Sequence, residues 1–413
     1  MSVNNMTIEQ GNAFLSAVVQ QMQGGALATV NSGNFTSVAQ NALLQGYDPL
    51  NTAISQVLAR TIYSIRPYNG KLKGLLKDNQ RFGNMVRKVN YIDGAFEDEQ
   101  HLYYTGTTPY VNGNVPTPDQ YAIRKPLVWQ SNWYGAELIQ RTTTIYKNQL
   151  DVAVSSESEF SRFIAGQLQN IYDQFEQVHD ARARQALINF IGGKIRLGTT
   201  DTGRMHVVHL LTDYAADTGV TLTPATYMAP ANYKPFVEWL YAKIATIVDL
   251  MSERGHSFNF SPTLGGSKAF IERHTPKARL KGYFIASEFN RIQSMAISEV
   301  FNKDELQMVS LEPINFWQSA ADPMNIDAEV TVNDATVNIT GASVNDLETV
   351  AVKTSAPVLG VLFDDDAIGI SIKWEGTYTT PLHITGVYWN QSWHESVSVI
   401  NDFTENGVVL ALD

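Results

Sequence analysis

A few clusters of residues have the types and spacing that could do chemistry. Asp364, Asp365 and Asp366 invite a magnesium or calcium reading, because clustered carboxylates suit hard cations. Three consecutive side chains diverge on a strand or turn, however, and no Gly-containing loop with a distal Glu completes a calcium motif, so the run reads as a polar turn. Gly265, Gly266, Ser267 and Lys268 resemble a phosphate loop in composition alone. A Walker A loop needs two Gly separated by four residues and followed by Lys-Ser or Lys-Thr, and neither that spacing nor a preceding strand is present. His206 and His209 lie three apart, as metal-ligand pairs do, but no third ligand stands nearby in sequence and zinc requires three or four. Packed or exposed histidines are the better reading. Arg273 and His274 could hold an anion or move a proton, yet no nucleophile accompanies the histidine and Pro276 marks an ordinary helix end. There is no Gly-x-Ser-x-Gly elbow and no cysteine, which removes thiolate nucleophiles, disulfides and Cys-ligated zinc. No catalytic, cofactor-binding or metal-ligating residue is expected, and no enzyme.

The elements around these residues must then carry the function. The 413 residues are 44% hydrophobic and 17% charged, which is enough apolar material for a large core and two or three folding units. The first thirty residues lack a basic start, and Gln20, Gln21 and Gln23 follow the Ala13 to Val19 stretch at once, so no signal peptide is expected. Apolar runs are short; Val358 to Phe363 ends in three aspartates, and a soluble chain without membrane contact is expected. Net charge is −11, but residues 1 to 88 carry eight basic against three acidic groups, a net of +5, and the remainder is −16. The two parts should attract each other. A DNA-gripping protein would spread positive charge over a broad face, whereas only Arg60 to Lys88 qualifies here, so contact with an acidic neighbour is the preferred reading of that stretch.

Up to Ala59 the chain is almost free of charge and rich in Asn and Gln, with Gly24, Gly25, Gly33 and Gly46 breaking its apolar stretches. It reads as an extended arm that needs a neighbour, with short helices near Thr7 to Gln23 and Leu50 to Ile65. Strand signals at Val86 to Ile92, His101 to Thr105 and Tyr121 to Trp133 flank an acidic stretch and several Gly and Pro, which together predict a long hairpin over 89 to 135. Ser156 and Glu159 form a capping box, and Phe160, Ile164, Leu168, Ile171, Phe175 and Val178 repeat at steps of three and four behind it. That pattern predicts a beam-like helix of about 37 residues, or roughly 55 Å, ending at a Gly192–Gly193 cap. A second helix has Pro235 in its first turn and runs through Met251 to a stop at Arg254–Gly255; shorter ones are expected at Gly266 to His274 and Glu288 to Glu299. Strand signals then dominate: Glu329 to Val332, Thr336 to Ile339, Thr349 to Val352, Val358 to Phe363, Ile368 to Lys373, His383 to Tyr388 and Val408 to Leu412. Helices and strands segregate, which gives α+β rather than a wound parallel sheet.

This order of arm, hairpin, beam helix, amphipathic helix and strand-rich end resembles the major capsid proteins of tailed double-stranded DNA phages, the Hong Kong ninety-seven type, and most closely those of small short-tailed phages. The stretches that carry the likeness are Arg81 to Ala95 (RFGNMVRKVNYIDGA), Gln149 to Ala183, Arg273 to Pro276 (RHTP), Val361 to Ile370 (VLFDDDAIGI) and Glu405 to Val409 (ENGVV). They are packing patterns rather than catalytic signatures. The resemblance implies an N-terminal arm over 1–75, an extended hairpin loop and its base over 76–135 and a peripheral domain with the spine helix over 136–230. An axial domain over 231–370 and C-terminal strands over 371–413 that return to the peripheral domain complete the division. Residues 319–356 fit the pattern least and are either axial strands or a surface insertion.

The implied function is a structural one: a virion protein, assembled in the host cytoplasm, that builds pentamers and hexamers of an icosahedral head around double-stranded DNA without sequence-specific contacts. Scaffolding, portal and decoration proteins are the further partners implied. Inter-subunit contacts are expected at Arg60, Arg66, Lys71, Lys73, Lys77, Asp93, Glu97, Asp98, Glu99, Trp129 and Trp133. The shell of a bacterial encapsulin-type nanocompartment would share the fold, and co-purified protein cargo would favour it. A β-rich phage receptor-binding protein would account for the later strands but not for the beam helix.

Overall fold

The computed structural model describes the chain apart from residues 1–6, 23–28, 66–69, 78–84, 93–126, 135–136, 202, 261–262, 265–266, 269–270, 292–309, 334–346, 354–355 and 403. Its first half contains α1 (Ile8–Met22), α2 (Phe35–Leu44), α3 (Tyr47–Ile65), β1 (Met85–Ile92), β2 (Leu127–Tyr134), β3 (Glu137–Tyr146), α4 (Lys147–Ser155) and α5 (Glu157–Thr200). There follow β4 (Val207–His209), α6 (Leu210–Thr218), α7 (Pro230–Ser252), β5 (Thr263–Leu264), β6 (Ser267–Lys268), β7 (Leu280–Ile285) and β8 (Ser310–Ile314). The chain ends with β9 (Asp327–Asn333), β10 (Leu347–Lys353), β11 (Val358–Asp364), β12 (Ile368–Thr379), β13 (Tyr388–Asn401) and β14 (Gly407–Ala411). The fold is α+β, with mostly antiparallel pairing.

The 44-residue helix α5 organises the rest and spans roughly 66 Å. Ser156 Oγ accepts the Glu159 backbone N–H at 3.3 Å and starts it, as the capping motif predicts. Its first half buries Phe160, Ile164, Leu168, Ile171 and Phe175 against α1, α2 and α3 and against Trp389 and Trp393 of β13. The stripe continues through His179 rather than Val178. His179 Nε2 lies 2.9 Å from both carboxylate oxygens of Glu395 on β13, and both residues are buried. Beyond Ala183 the helix packs Ala186, Leu187, Phe190, Ile191 and Leu197 onto one face of a five-stranded sheet. Gly192 and Gly193 do not end it. Both are buried with their neighbours Phe190, Ile191 and Lys194, so tertiary packing on all sides overrides the local helix-breaking preference and α5 runs on to a cap at Asp201.

That sheet has the order β4-β14-β11-β7-β8, with β11 antiparallel to both neighbours and parallel pairs at the two edges. All seven residues of β11 are buried, because Val361 and Phe363 face α5 while Leu359 and Leu362 face α6 and α7. Gly360 sits where a Cβ would meet the Phe284 ring at 2.6 Å, so only glycine lets β7 and β11 pack at this point. A three-stranded sheet, β12-β13-β3, joins the C-terminal strands to the chain just before α4. Strand β13 alternates buried and half-buried residues, and its inward Trp389 and Gln391 bond Asp48 (2.6 Å) and Asn51 (3.0 Å) of α3.

Several expectations are corrected here. The N-terminal segment is not an extended arm without a core: Phe14, Leu15, Val18, Phe35, Ile54 and Leu58 are buried within the same chain, and α2 occupies part of the Gly-interrupted stretch. Helix α7 starts at Pro230, which takes the first helical position, and Pro235 lies inside it. None of the described residues within 266–274 is helical; β5 pairs with β6, and Arg273 and Gly255 form an isolated bridge. A helical turn spans 286–291, and the rest of the 288–299 expectation lies outside the described residues. His383 to Tyr388 is the turn between β12 and β13, with Val387 held at φ 51°, so the strand begins where it was expected to end. Residues 319–356 contribute β9 and β10, which pair only with each other among the described residues.

Candidate functional site

Strands β1 and β2 pair antiparallel from Met85–Tyr134 to Ile92–Leu127 and pair with no other strand among the described residues. The long hairpin read from the sequence therefore has a regular two-stranded base. Trp129 stands opposite Asn90 and Trp133 opposite Val86 in its register. From β1, Lys88 reaches across 314 residues of sequence to Asp402 Oδ2 at 3.0 Å, and it also pairs with Glu405.

The acceptors belong to the loop between β13 and β14, which the fold holds from several sides. Asp402 N–H donates to Ala367 O (2.7 Å), Gly407 N–H to Phe258 O (3.2 Å) and Phe260 N–H to Thr404 O (3.3 Å). Asp402 Oδ1 accepts from the Thr404 backbone N–H at 3.1 Å and from the Thr404 hydroxyl, an Asx-type turn that fixes the carboxylate. Arg273 pairs with the same carboxylate oxygen of Glu405 as Lys88 does. Lys194 of α5, fully buried, donates to the carbonyls of Glu405 (2.7 Å) and Phe258 (2.9 Å). Burial pushes the Lys194 amine down to about 7 against the pull of Asp402, and burial also lowers Arg273. For Asp402 burial works the other way, and Lys88 and Arg273 overcome it to hold the carboxyl below its ordinary range.

A second charged junction lies beside this one. Asp365 binds Lys77 (2.6 Å) and Lys281 (2.5 Å), Asp364 binds Thr275 (2.8 Å) and Arg279 (3.3 Å), and Asp366 binds Arg279. Burial opposes ionisation of Asp365, and its two lysines prevail and lower its pKa. Asp365 thus points away to the two lysines while Asp364 and Asp366, two residues apart, share Arg279, and all three are held by partners on their own chain. His206 and His209 also separate. His206 is buried against Asp201 (3.1 Å) and pushed down to about 4 by that burial, while His209 is exposed and pairs with Asp413 (2.7 Å). Among the described residues no group of three or more His, Asp or Glu is placed to hold a metal ion. No helix among them is long and apolar enough to cross a membrane.

The residues expected to make inter-subunit contacts fall into four sets. Lys71 and Lys73 are exposed. Lys77 is not free for a neighbour, since Asp365 of its own chain takes its ammonium. Arg60 lies on α3, and Trp129 and Trp133 lie on β2. Arg66, Asp93, Glu97, Asp98 and Glu99 lie outside the described residues. The attraction between the basic early segment and the acidic remainder is realised inside the subunit by Lys77–Asp365 and Lys88–Asp402/Glu405. Sequence reasoning gave no contact role to Lys194, Asp402 or Glu405, the last of which entered only as part of the ENGVV stretch. A signal for Lys194 was present, a single charge between Ile191 and Ile195 on the apolar side of a long helix.

The chain matches no family model and no curated protein. Its fold is similar to a chain from "head fiber and inner core protein gp22 of native bacteriophage P68", with a TM-score of 0.50 at 10% identity over 84% of this chain and 86% of that one. A chain from the capsid structure of Staphylococcus phage Andhra aligns at 8% identity and a TM-score of 0.46, covering 82% and 83%. One from the asymmetric unit of the bacteriophage PhiM1 mature capsid aligns at 12% and 0.41, covering 84% and 87%. At these identities the likeness concerns the fold, and the first of the three is the one on which an argument can rest.

Proposed function

We propose that this chain is a structural protein of a phage head: a major capsid protein of the Hong Kong ninety-seven type that self-assembles into an icosahedral shell around double-stranded DNA, without catalysis of its own. The observation that carries the reading is a fold shared along most of both chains with a protein of a phage particle. The hairpin supports it, because a two-stranded ribbon paired with no other strand among the described residues gains little stability alone and is suited to burying its faces against another copy. In this reading β1 and β2 form the base of the extended loop within 76–135 and α5 is the spine of the peripheral domain. The sheet centred on β11, with α6 and α7, forms most of the axial domain. Pairing of β13 with β3 supports C-terminal strands that return to the peripheral domain, although β14 itself joins the β11 sheet. Lys71 and Lys73 remain candidates for contact with an acidic neighbouring surface, and pentamers and hexamers are the expected assemblies. Scaffolding, portal and decoration proteins are the further partners this reading brings with it.

Electron microscopy and light scattering of the purified chain test the proposal. Rings or closed shells far larger than 45.8 kDa are the expected result. A stable monomer at high concentration, with no assembly even beside a scaffolding protein, would overturn it.

A further inference from the structure

The pocket that receives Lys88 has a charge count that depends on where Lys88 is. With Lys88 docked, it and Arg273 face Asp402 and Glu405, two positive groups against two negative. The other charged groups around Lys194 are already matched. Asp201 at the end of α5 faces Arg204 and His206, and Asp364 is held by Arg279 and Thr275. Among the described residues of the group Lys194 is the one cation that forms no ion pair with a carboxylate, and it is buried completely. Its Nζ donates to two carbonyl oxygens, the number of N–H bonds a neutral amine possesses. If Lys88 leaves, the same pocket holds two carboxylates and one guanidinium, and the deficit of one positive charge lies beside the Lys194 amine. The loop need not open for this, because its backbone hydrogen bonds to Ala367, Phe258 and Phe260 do not involve Lys88.

We infer that undocking of Lys88 is coupled to uptake of one proton by Lys194, so that the pocket stays charge-balanced in both positions and the β1–β2 hairpin is held to the body by a proton-linked latch. The inference concerns contacts within one chain and does not rest on the assembly reading. Its sign follows from linkage. With Lys88 docked on Asp402, burial holds the amine down to about 7; with Lys88 away, Asp402, whose charge already pulls the amine upward, is no longer shared with Lys88 and the amine titrates higher. Between those two values the undocked state binds more protons, so undocking is favoured as pH falls through that window and levels off below about 7.

Hydrogen exchange of the full-length chain, expressed as protection factors for the amides of β1 and β2 between pH 7 and 10, tests it. In the wild type, protection should fall as pH is lowered, by up to about tenfold per pH unit for one linked proton. Lys88→Met, which removes the ammonium at a side chain 27% exposed in the wild type, should show low protection that no longer varies with pH. Lys194→Met should keep the hairpin docked and also flatten the profile. Wild-type protection that does not change with pH would overturn the proposal, and so would a pH slope that survives in Lys88→Met.

Discussion

The N-terminal helices and the β1–β2 hairpin look alike in one respect as sequence: each has apolar residues with no evident core of its own. The structure separates them. Helices α1, α2 and α3 bury Leu15, Val18, Ile54 and Leu58 against α5 and β13, and polar bonds from Asp48 and Asn51 lock α3 to β13. The hairpin has its own ladder, and among the described residues its side-chain tie to the body is Lys88, which ends on charges. A segment with many apolar contacts to its own chain belongs to the fold. One held by a charged contact can change its position at little cost to the rest.

The comparison breaks most clearly at Trp393, which is fully buried between the N-terminal helices and α5. Trp393→Ala should lower stability by about 3 to 5 kcal/mol in denaturant titrations, the range for truncating a large core ring. If the loss were under 1 kcal/mol, the N-terminal helices would not share a core with β13. A somewhat smaller effect is expected from acid. His206 titrates at about 4 when folded, against about 6.5 unfolded, so the unfolded chain binds its proton first and stability falls as pH drops from about 6.5 to 4. The loss is about 3 kcal/mol, and His206→Asn should remove that part of the acid dependence. Unfolding curves of both proteins across this range decide it.

Ser156→Ala removes the cap of α5 and should cost about 1 kcal/mol, visible as a modest shift of the urea midpoint. Shortening the hairpin between Asp93 and Arg124 should leave that midpoint where it was while blocking assembly. Circular dichroism showing an unfolded chain would place the hairpin in the core after all. The smallest effect belongs to Lys71 and Lys73, both exposed: changing the pair to Gln should leave stability within about 1 kcal/mol and slow assembly only at low salt. Light scattering at two ionic strengths provides the measurement. Empty shells that form normally at every salt concentration but fail to retain DNA would assign these lysines to the interior instead.

Much of the architecture was legible because its signals are local. The Ser156 cap, the three-and-four spacing from Phe160 to Phe175 and the unbroken apolar run at Val358 to Phe363 each depend on neighbours within a few residues. Those rules of hydrogen-bond satisfaction and face burial operate before any tertiary contact exists. The α+β class, the beam helix, the paired strands of the hairpin base and the polar turn at the three aspartates followed from them. Long-range contact decided the rest. Gly192 and Gly193 remain helical because protein surrounds them, and Asp365 finds Lys77 and Lys281 only once distant segments meet. The Lys88 pocket is the extreme case, since β1, α5, the Arg273 segment and the 402–406 loop each supply one part. The local pattern places Lys194 on the apolar side of α5, but only the assembled fold removes water from it on every side, and it is that desolvation that turns an ordinary lysine into a group able to exchange its proton near neutral pH.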